Sequence, residues 1–212
     1  MRRVFCFLIT VLMISCGRNS SNSADRIITV SIAPFKYFIE EIAGNDFKVN
    51  IMVPAGADPH TYEPFPEQIN KLRKSVAYIS NGYLGFEMNW LERFYETNST
   101  MKRLSLGDRI DPLNSAHHHE GSQNESADPH YWMSPSCALI MASSVKGFLC
   151  ELNPSQKEKY EKGYRDLLIK IQEVDGKARE LFSGVKNRSF MIYHPNLAYM
   201  ARDYGLEEIP VE

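Results

Sequence analysis

Segments with the composition of β-strands alternate with helix-like segments along most of this chain. The strand-like segments are short and lie at 27–32, 47–53, 76–80, 101–106 and 189–193, and the first of them is rich in β-branched residues. The helix-like segments between and after them lie at 35–42, 67–74, 86–95 and 198–203. Because a helix that crosses between two strands lets the strands run in the same direction, the alternation predicts an α/β fold. Its main sheet should be parallel and covered by flanking helices.

Two longer helices are predicted between the fourth and fifth strands. Ser134-Pro135 marks the start of the first, and Asn153-Pro154 marks a second start, with Gln156 in the position of a capping box. The second helix is a rod about 45 Å long that ends near Gly184. Its apolar residues recur at steps of four and three: Tyr160, Tyr164, Leu167, Ile171, Val174, Ala178 and Leu181. This stripe favours a helix packed along its own domains, and a coiled-coil partner is the alternative.

The N-terminus has the pattern of an exported protein. Arg2 and Arg3 precede an uncharged apolar run at 4–14, which as a helix would span only about half of a bilayer core. A basic start and a short apolar run are typical of a secretory signal. The run leads into Ser15-Cys16, which resembles a bacterial lipobox, where the cysteine is acylated and becomes the first mature residue. A plain secretory peptide with a chance cysteine is the alternative.

Charge and cysteine content argue against a nucleic-acid-binding protein and against a protein stabilised by disulfides. The formal net charge is -2 and no basic patch is present, so nucleic acid is not an expected partner. Cys137 and Cys150 fall in one predicted helix at a separation of about 20 Å, whereas a disulfide needs Cα atoms within about 7 Å. We expect both cysteines to be buried apolar residues, and neither to be a metal ligand.

The six histidines fall into two groups. His60, His130 and His194 are isolated on predicted loops, whereas the other three form a run in a polar loop: His117, His118 and His119. His60 and His130 each end an Asp-Pro-His tripeptide, and His194 precedes a proline, so all three loops are stiff. The aspartates could accept the second N–H of each imidazole, and three imidazoles suit Zn²⁺. From the residues alone, metal ligands and structural histidines remain alternatives.

Three motifs resemble those of the zinc- and manganese-binding proteins of ABC importers. The segment VPAGADPHTYEP at 53–64 is similar to the family's signature loop, and DPHYWMSP at 128–135 to its second motif. YHP at 193–195, with YMARDYGL at 199–206, is similar to the third. The resemblance runs from about Ile28 to the last residue. It implies two α/β domains joined by one long helix, a metal held between them, and delivery to a membrane permease without catalysis.

Carried over by resemblance, the family's first three metal ligands fall on His60, His130 and His194. A histidine in the third place, where manganese-binding members usually have a carboxylate, favours Zn²⁺ over Mn²⁺. The histidine run at 117–119 is a further zinc-type feature, and it is either an accessory low-affinity metal loop or a solvated loop without a role. The family's fourth ligand position lies near the end of the second domain, and no residue here matches it.

These observations predict a membrane-anchored lipoprotein on the extracytoplasmic face of the cell envelope. We expect a signal peptide at 1–15, a tether lipidated on Cys16 at 16–26, and an N-terminal α/β metal-binding domain at 27–153. A long linking helix at 154–184 and the start of a C-terminal α/β domain at 185–212 should follow. We expect this second domain to be incomplete, with the apolar stripe of the long helix only partly covered.

Three alternative functions remain open from the sequence. The first is a manganese- or iron-type binding protein of the same family. The second is a zinc-dependent hydrolase, since three histidines and a water also describe a catalytic zinc, with Glu63 as the nearest candidate acid or base. The third is a surface adhesin, a protein of cell adhesion whose metal is structural.

Overall fold

The N-terminal part of the chain is built on a four-stranded parallel sheet. The computed structural model describes residues 26–59, 61–114 and 127–211. Its strands β1 (Ile27–Ile32), β2 (Lys48–Val53), β3 (Ser75–Ser80) and β4 (Lys102–Ser105) lie in the order β2-β1-β3-β4. Every neighbouring pair is parallel. The carboxyl ends of the four strands therefore meet at one edge. The chain continues from β1 to β2 on one side and from β3 to β4 on the other, and α/β folds usually bind ligands between two such strands.

Three helices connect these strands: α1 (Ala33–Ala43), α2 (Pro66–Arg73) and α3 (Gly85–Thr97). The central strands are apolar because both faces of the sheet are covered, and Ile28 and Val30 of β1 are fully buried. In α1, buried Phe35, Phe38 and Ile42 recur at three- and four-residue steps and face the sheet. The α/β class expected from the alternation is confirmed.

Helix α4 (Pro135–Leu152) starts at Ser134, whose hydroxyl accepts the backbone N–H of Cys137 at 3.2 Å. By length and composition α4 could cross a membrane, but it packs against α1 and α5 as a core helix. Asn153 and Pro154 begin the next helical segment as expected, but residues 154–156 form a 3₁₀ turn and the Asn153 side chain makes no capping hydrogen bond. It bonds to Ser155 and Tyr160 instead. Helix α5 (Lys157–Ser183) follows this turn.

The apolar stripe of α5 is covered over its first half only. Tyr160, Leu167 and Ile171 are buried, whereas the side chains of Val174 and Leu181 are 56% and 67% exposed. This partial cover was expected from the sequence, and the buried half packs along the protein's own helices α1 and α4.

The C-terminal unit, residues 185–211, contains β5 (Ser189–Ile192), α6 (Ala198–Tyr204) and β6 (Glu207–Pro210). β5 and β6 form a two-stranded parallel sheet. α6 packs on α4 and on the short 3₁₀ helix His130–Met133. Its residue Tyr199 is fully buried, with its ring 6.2 Å from that of Tyr131. The unit therefore rests against the N-terminal domain beside the second Asp-Pro-His motif.

Candidate metal site

His130 is held in one orientation by the aspartate two residues before it. The imidazole Nδ1 lies 2.8 Å from Asp128 Oδ1, and the same oxygen accepts the His130 backbone N–H at 2.7 Å. Both side chains are almost completely buried. A carboxylate can only accept, so Nδ1 carries the proton and Nε2 keeps the lone pair that a metal requires. The sequence suggested this contact.

His194 reaches the same place from the C-terminal unit. It follows β5, and its ring centroid lies 5.3 Å from that of His130, with the ring planes at 86°. Two imidazoles bound to one tetrahedral zinc, at Zn–N distances of about 2.0–2.1 Å, place their ring centroids roughly 5 Å apart. The observed spacing of His130 and His194 is therefore compatible with a shared metal ion.

The loop after His194 is fixed by a carboxylate from β6. Glu208 Oε1 accepts the backbone N–H of Asn196 at 3.0 Å and that of Leu197 at 2.9 Å. These two hydrogen bonds tie the turn between His194 and α6 to β6, the strand beside β5. This contact could not be predicted from the sequence, because Glu208 is separated from the loop by the whole of α6.

Several predicted site residues lie outside the described part of the chain: His60, the run His117, His118 and His119, and Cys16. The neighbours of His60 are described. The Pro59 carbonyl accepts the Phe86 N–H at 3.3 Å, and the Thr61 hydroxyl donates to Asp58 at 2.8 Å. The described residues contain no group of three or more potential metal ligands, so they contribute the pair of His130 and His194.

Asn81 forms hydrogen bonds with both residues that are next to His130 in the chain. Its side-chain Nδ2 donates to the Pro129 carbonyl at 3.0 Å, and its own carbonyl accepts the Tyr131 hydroxyl at 2.7 Å. Asn81 follows β3 directly, so the carboxyl end of a central strand positions the second Asp-Pro-His motif. Sequence reasoning missed this residue, although Asn81-Gly82 after a strand is a turn signal.

Behind Asn81 lies the buried carboxylate of Glu87, on the first turn of α3. It accepts the backbone N–H of Asn81 at 2.8 Å, that of Gly82 at 2.6 Å, and the Ser31 hydroxyl. Burial raises the pKa of Glu87, and these hydrogen bonds act in the opposite direction. Gly82 has a φ of 99°, and a Cβ there would meet Ser105 Oγ at 2.8 Å, so the turn requires glycine.

The expected burial holds for Cys137 and only in part for Cys150. Cys137 is buried and Cys150 is half-buried, and both are free thiols. Burial raises the pKa of each thiol, which keeps it protonated and unsuited to binding metal as a thiolate.

Comparison with known proteins matches residues 28–212 to the family described as zinc-uptake complex component A, periplasmic. The zinc-binding lipoprotein AdcA of Streptococcus pneumoniae is 26% identical over 220 residues, covering 96% of this chain and 42% of AdcA. The high-affinity zinc uptake system protein ZnuA of Bacillus subtilis is 24% identical over 229 residues, covering 97% of this chain and 68% of that protein. The chain thus spans less than half the length of AdcA.

A solved structure has the same fold. The crystal structure of a zinc-bound ZnuA deletion mutant superposes with a TM-score of 0.80 at 36% identity, covering 88% of this chain and 70% of that one.

Proposed function

The chain belongs to the family of periplasmic zinc-uptake components, and from this premise we propose that it binds extracytoplasmic zinc and delivers it to the permease of an ABC importer. The observation that carries the proposal is the pair of imidazoles, His130 and His194, with ring centroids 5.3 Å apart. They come from the two units of the protein. A cation bound by both would therefore join these units.

The proposed ligands are His60, His130 and His194, with His60 outside the described residues. Imidazole nitrogens suit Zn²⁺, whereas Mn²⁺ prefers carboxylate and water oxygens. The carboxylate of Asp128 behind His130 makes the imidazole a better donor to the metal. Zinc is therefore the proposed cargo, and manganese should bind more weakly.

We propose no catalytic role for this site. Glu63, the nearest candidate acid or base, has an exposed side chain in the loop after β2. The zinc-loaded protein should show no turnover of ester substrates, and measurable turnover that is lost in His130→Ala would favour the hydrolase alternative.

The proposed location is the extracytoplasmic face of a membrane, with the chain anchored by a lipid on Cys16. The apolar run at 4–14 and the polar segment after Cys16 support this proposal. Replacing Cys16 with Ser should move the protein from the membrane fraction into the soluble fraction. Unchanged membrane association of the variant would contradict lipidation at Cys16.

Calorimetric titration of zinc into the purified protein tests the binding proposal. His130→Ala and His194→Ala should each weaken zinc binding by more than the roughly 10–100-fold that loss of a hydrogen-bond partner behind a ligand costs. His117→Ala is the matched control and should leave the tight site unchanged. Binding should also weaken on acidification, because protons compete with the metal for imidazole. A His130→Ala variant with unchanged affinity would remove this residue from the ligand set.

The histidine run is proposed as an accessory, low-affinity zinc loop. Deleting residues 117–120 should leave the stoichiometry of the tight site intact and remove any weaker second binding event. If the zinc-binding isotherms of the deletion variant and the wild type coincide, the histidine run has no part in binding.

A further inference from the structure

The Tyr199 side chain links the C-terminal unit to the segment that carries Asp128. Its hydroxyl donates to the Asp128 backbone carbonyl at 2.8 Å and accepts the Leu113 backbone N–H at 3.1 Å. Asp128 and Leu113 are also joined to each other, because the Asp128 N–H donates to the Leu113 carbonyl at 2.7 Å. The Tyr199 hydroxyl therefore joins Asp128 and Leu113 through two hydrogen bonds, and a third hydrogen bond joins these two residues directly.

This hydroxyl lies between the two segments that supply the histidines. Asp128 accepts the Nδ1–H of His130, so its position sets the direction of that imidazole. Tyr199 is on the first turn of α6, five residues after His194, and Glu208 fixes the intervening loop to β6. A displacement of Tyr199 relative to Asp128 would therefore change the separation of the two rings.

The contact is buried and closely packed. Tyr199 and Asp128 are 0% and 4% exposed, and the Tyr199 ring packs edge-on against the Tyr131 ring at 6.2 Å. Tyr131 is itself bonded to Asn81 at the end of β3. A buried hydroxyl with both partners satisfied restrains its neighbours more strongly than an exposed one, since water cannot replace either bond.

We propose that Tyr199 is a positioning residue, whose hydroxyl holds the imidazoles of His130 and His194 at the spacing that zinc requires. The inference rests on the proposed function and deepens it. It predicts that removing one oxygen atom, which is bonded to Asp128 and Leu113, weakens zinc binding.

Tyr199→Phe is the informative variant, because it keeps the ring and removes the hydroxyl alone. Tyr204→Phe is its matched control. Tyr204 is on the same helix and largely buried, but its hydroxyl donates to Asp175 of α5 at 2.9 Å, not to a segment carrying either histidine. Both variants lose one hydrogen-bonded hydroxyl from α6, so a general loss of stability should affect both.

The experiment measures the zinc dissociation constant of the full chain by competition with a chelator. We expect Tyr199→Phe to raise the constant by about 10–100-fold, as for other residues that orient metal ligands. Tyr204→Phe should bind zinc as tightly as the wild type. Circular dichroism and thermal unfolding check that both variants are folded.

A second measurement on the wild type does not depend on any variant. If the Tyr199 contact strengthens zinc binding, zinc binding must strengthen the contact by the same factor. The Leu113 amide, which donates to Tyr199, should therefore exchange its hydrogen more slowly in the zinc-loaded protein.

The outcomes separate this inference from the proposed function. A wild type that does not bind zinc would overturn both. A wild type that binds zinc, with Tyr199→Phe equally tight, would overturn the positioning role alone, as would equal losses in Tyr199→Phe and Tyr204→Phe. If Tyr199→Phe does not fold, exchange at Leu113 decides: slowing by zinc supports the inference and unchanged exchange overturns it.

Discussion

At the scale of single residues, the site is organised by hydrogen bonds to backbone groups and by one carboxylate behind a histidine. Asp128 fixes the tautomer and direction of His130, while Asn81 holds the residues on either side of that histidine. The first contact could be expected from the Asp-Pro-His tripeptide, because its partners are two residues apart. The second could not, since Asn81 and Pro129 are 48 residues apart and meet only after the sheet has formed.

Replacing Asp128 with Ala should weaken zinc binding by about 10–100-fold, because His130 loses the acceptor that orients its ring and raises its basicity. Asp111→Ala is the control, since Asp111 is an exposed carboxylate in the segment before the same motif. Competition with a chelator measures the zinc affinity of both variants. Equal affinity of the Asp128 variant and the wild type would show that the carboxylate does not support the ligand.

Glu87 should make folding stability depend on pH. Burial raises its pKa above the ordinary value of 4.5, so the folded state binds this proton more tightly than the unfolded chain. The corresponding stability is fully present below about 4.5 and is lost as the pH rises through the raised pKa. Urea unfolding from pH 4.5 upwards should therefore show a decline in the free energy of unfolding that is smaller in Glu87→Gln.

The control for this pH experiment is Glu92→Gln, which changes an exposed carboxylate on the same helix, α3. Its pH profile should be parallel to that of the wild type. A Glu87→Gln profile with the wild-type slope would mean that Glu87 does not contribute to the decline.

At the scale of elements, α5 is joined to the N-terminal domain by a close approach to α1. A Cβ at Gly163 would lie 2.4 Å from the Ile42 carbonyl oxygen and 2.8 Å from that of Glu41. Ion pairs flank this contact, with Lys159 Nζ 2.6 Å from Asp46 and Lys170 Nζ 2.5 Å from Glu41. Glycine is therefore required where the two helices meet.

Gly163→Ala should destabilise the protein by about 1–3 kcal/mol, because the helices must separate to admit the methyl group. Gly176→Ala, on the same helix, should have the opposite effect. A Cβ at Gly176 meets nothing within 4 Å, so the better helix propensity of alanine should stabilise by about 0.5–1 kcal/mol. Thermal and urea unfolding measure the stability of both variants. A Gly163→Ala variant as stable as the wild type would show that α1 and α5 can move apart without loss of stability.

The helices and strands themselves could largely be read from the sequence, because each has a local hydrophobic pattern. β1 has the expected bounds, whereas α1 begins and ends at Ala33 and Ala43 instead of at residues 35 and 42. The turn at 154–156 could not be read. Asn153 is a residue type that often caps helices, but its Oδ1, the atom that would cap, accepts the Ser155 hydroxyl, and its Nδ2 donates to Tyr160.

At the scale of the whole molecule, the two units differ in how completely their side chains are buried. The four-stranded sheet has two central strands with almost every side chain covered, whereas the β5–β6 pair leaves Met191 73% exposed. A two-stranded sheet has little stability of its own and depends on packing against other elements. The contacts of α6 with the N-terminal domain supply that packing.

Hydrogen exchange should therefore be uneven across the molecule. Amides of β1 and β3 should exchange only through global unfolding, and those of β5 and β6 through local opening. Zinc should slow exchange in β5 and β6 most, because His194 follows β5 and His130 belongs to the N-terminal domain. Mass-resolved exchange with and without zinc measures this, and uniform protection in the absence of zinc would contradict the difference between the units.

The packing of Trp132 on His130 has an optical consequence. The two ring centroids are 5.1 Å apart, at an angle of 55°. Indole emission depends on the charge and polarity of the groups against the ring, so a cation that binds His130 changes the light emitted by Trp132. The second tryptophan, Trp90, stacks on Phe94 of α3 and supplies a separate background that Trp90→Phe removes. If zinc binds His130 as proposed, its arrival should be detectable in real time by the protein's own fluorescence, without an added dye.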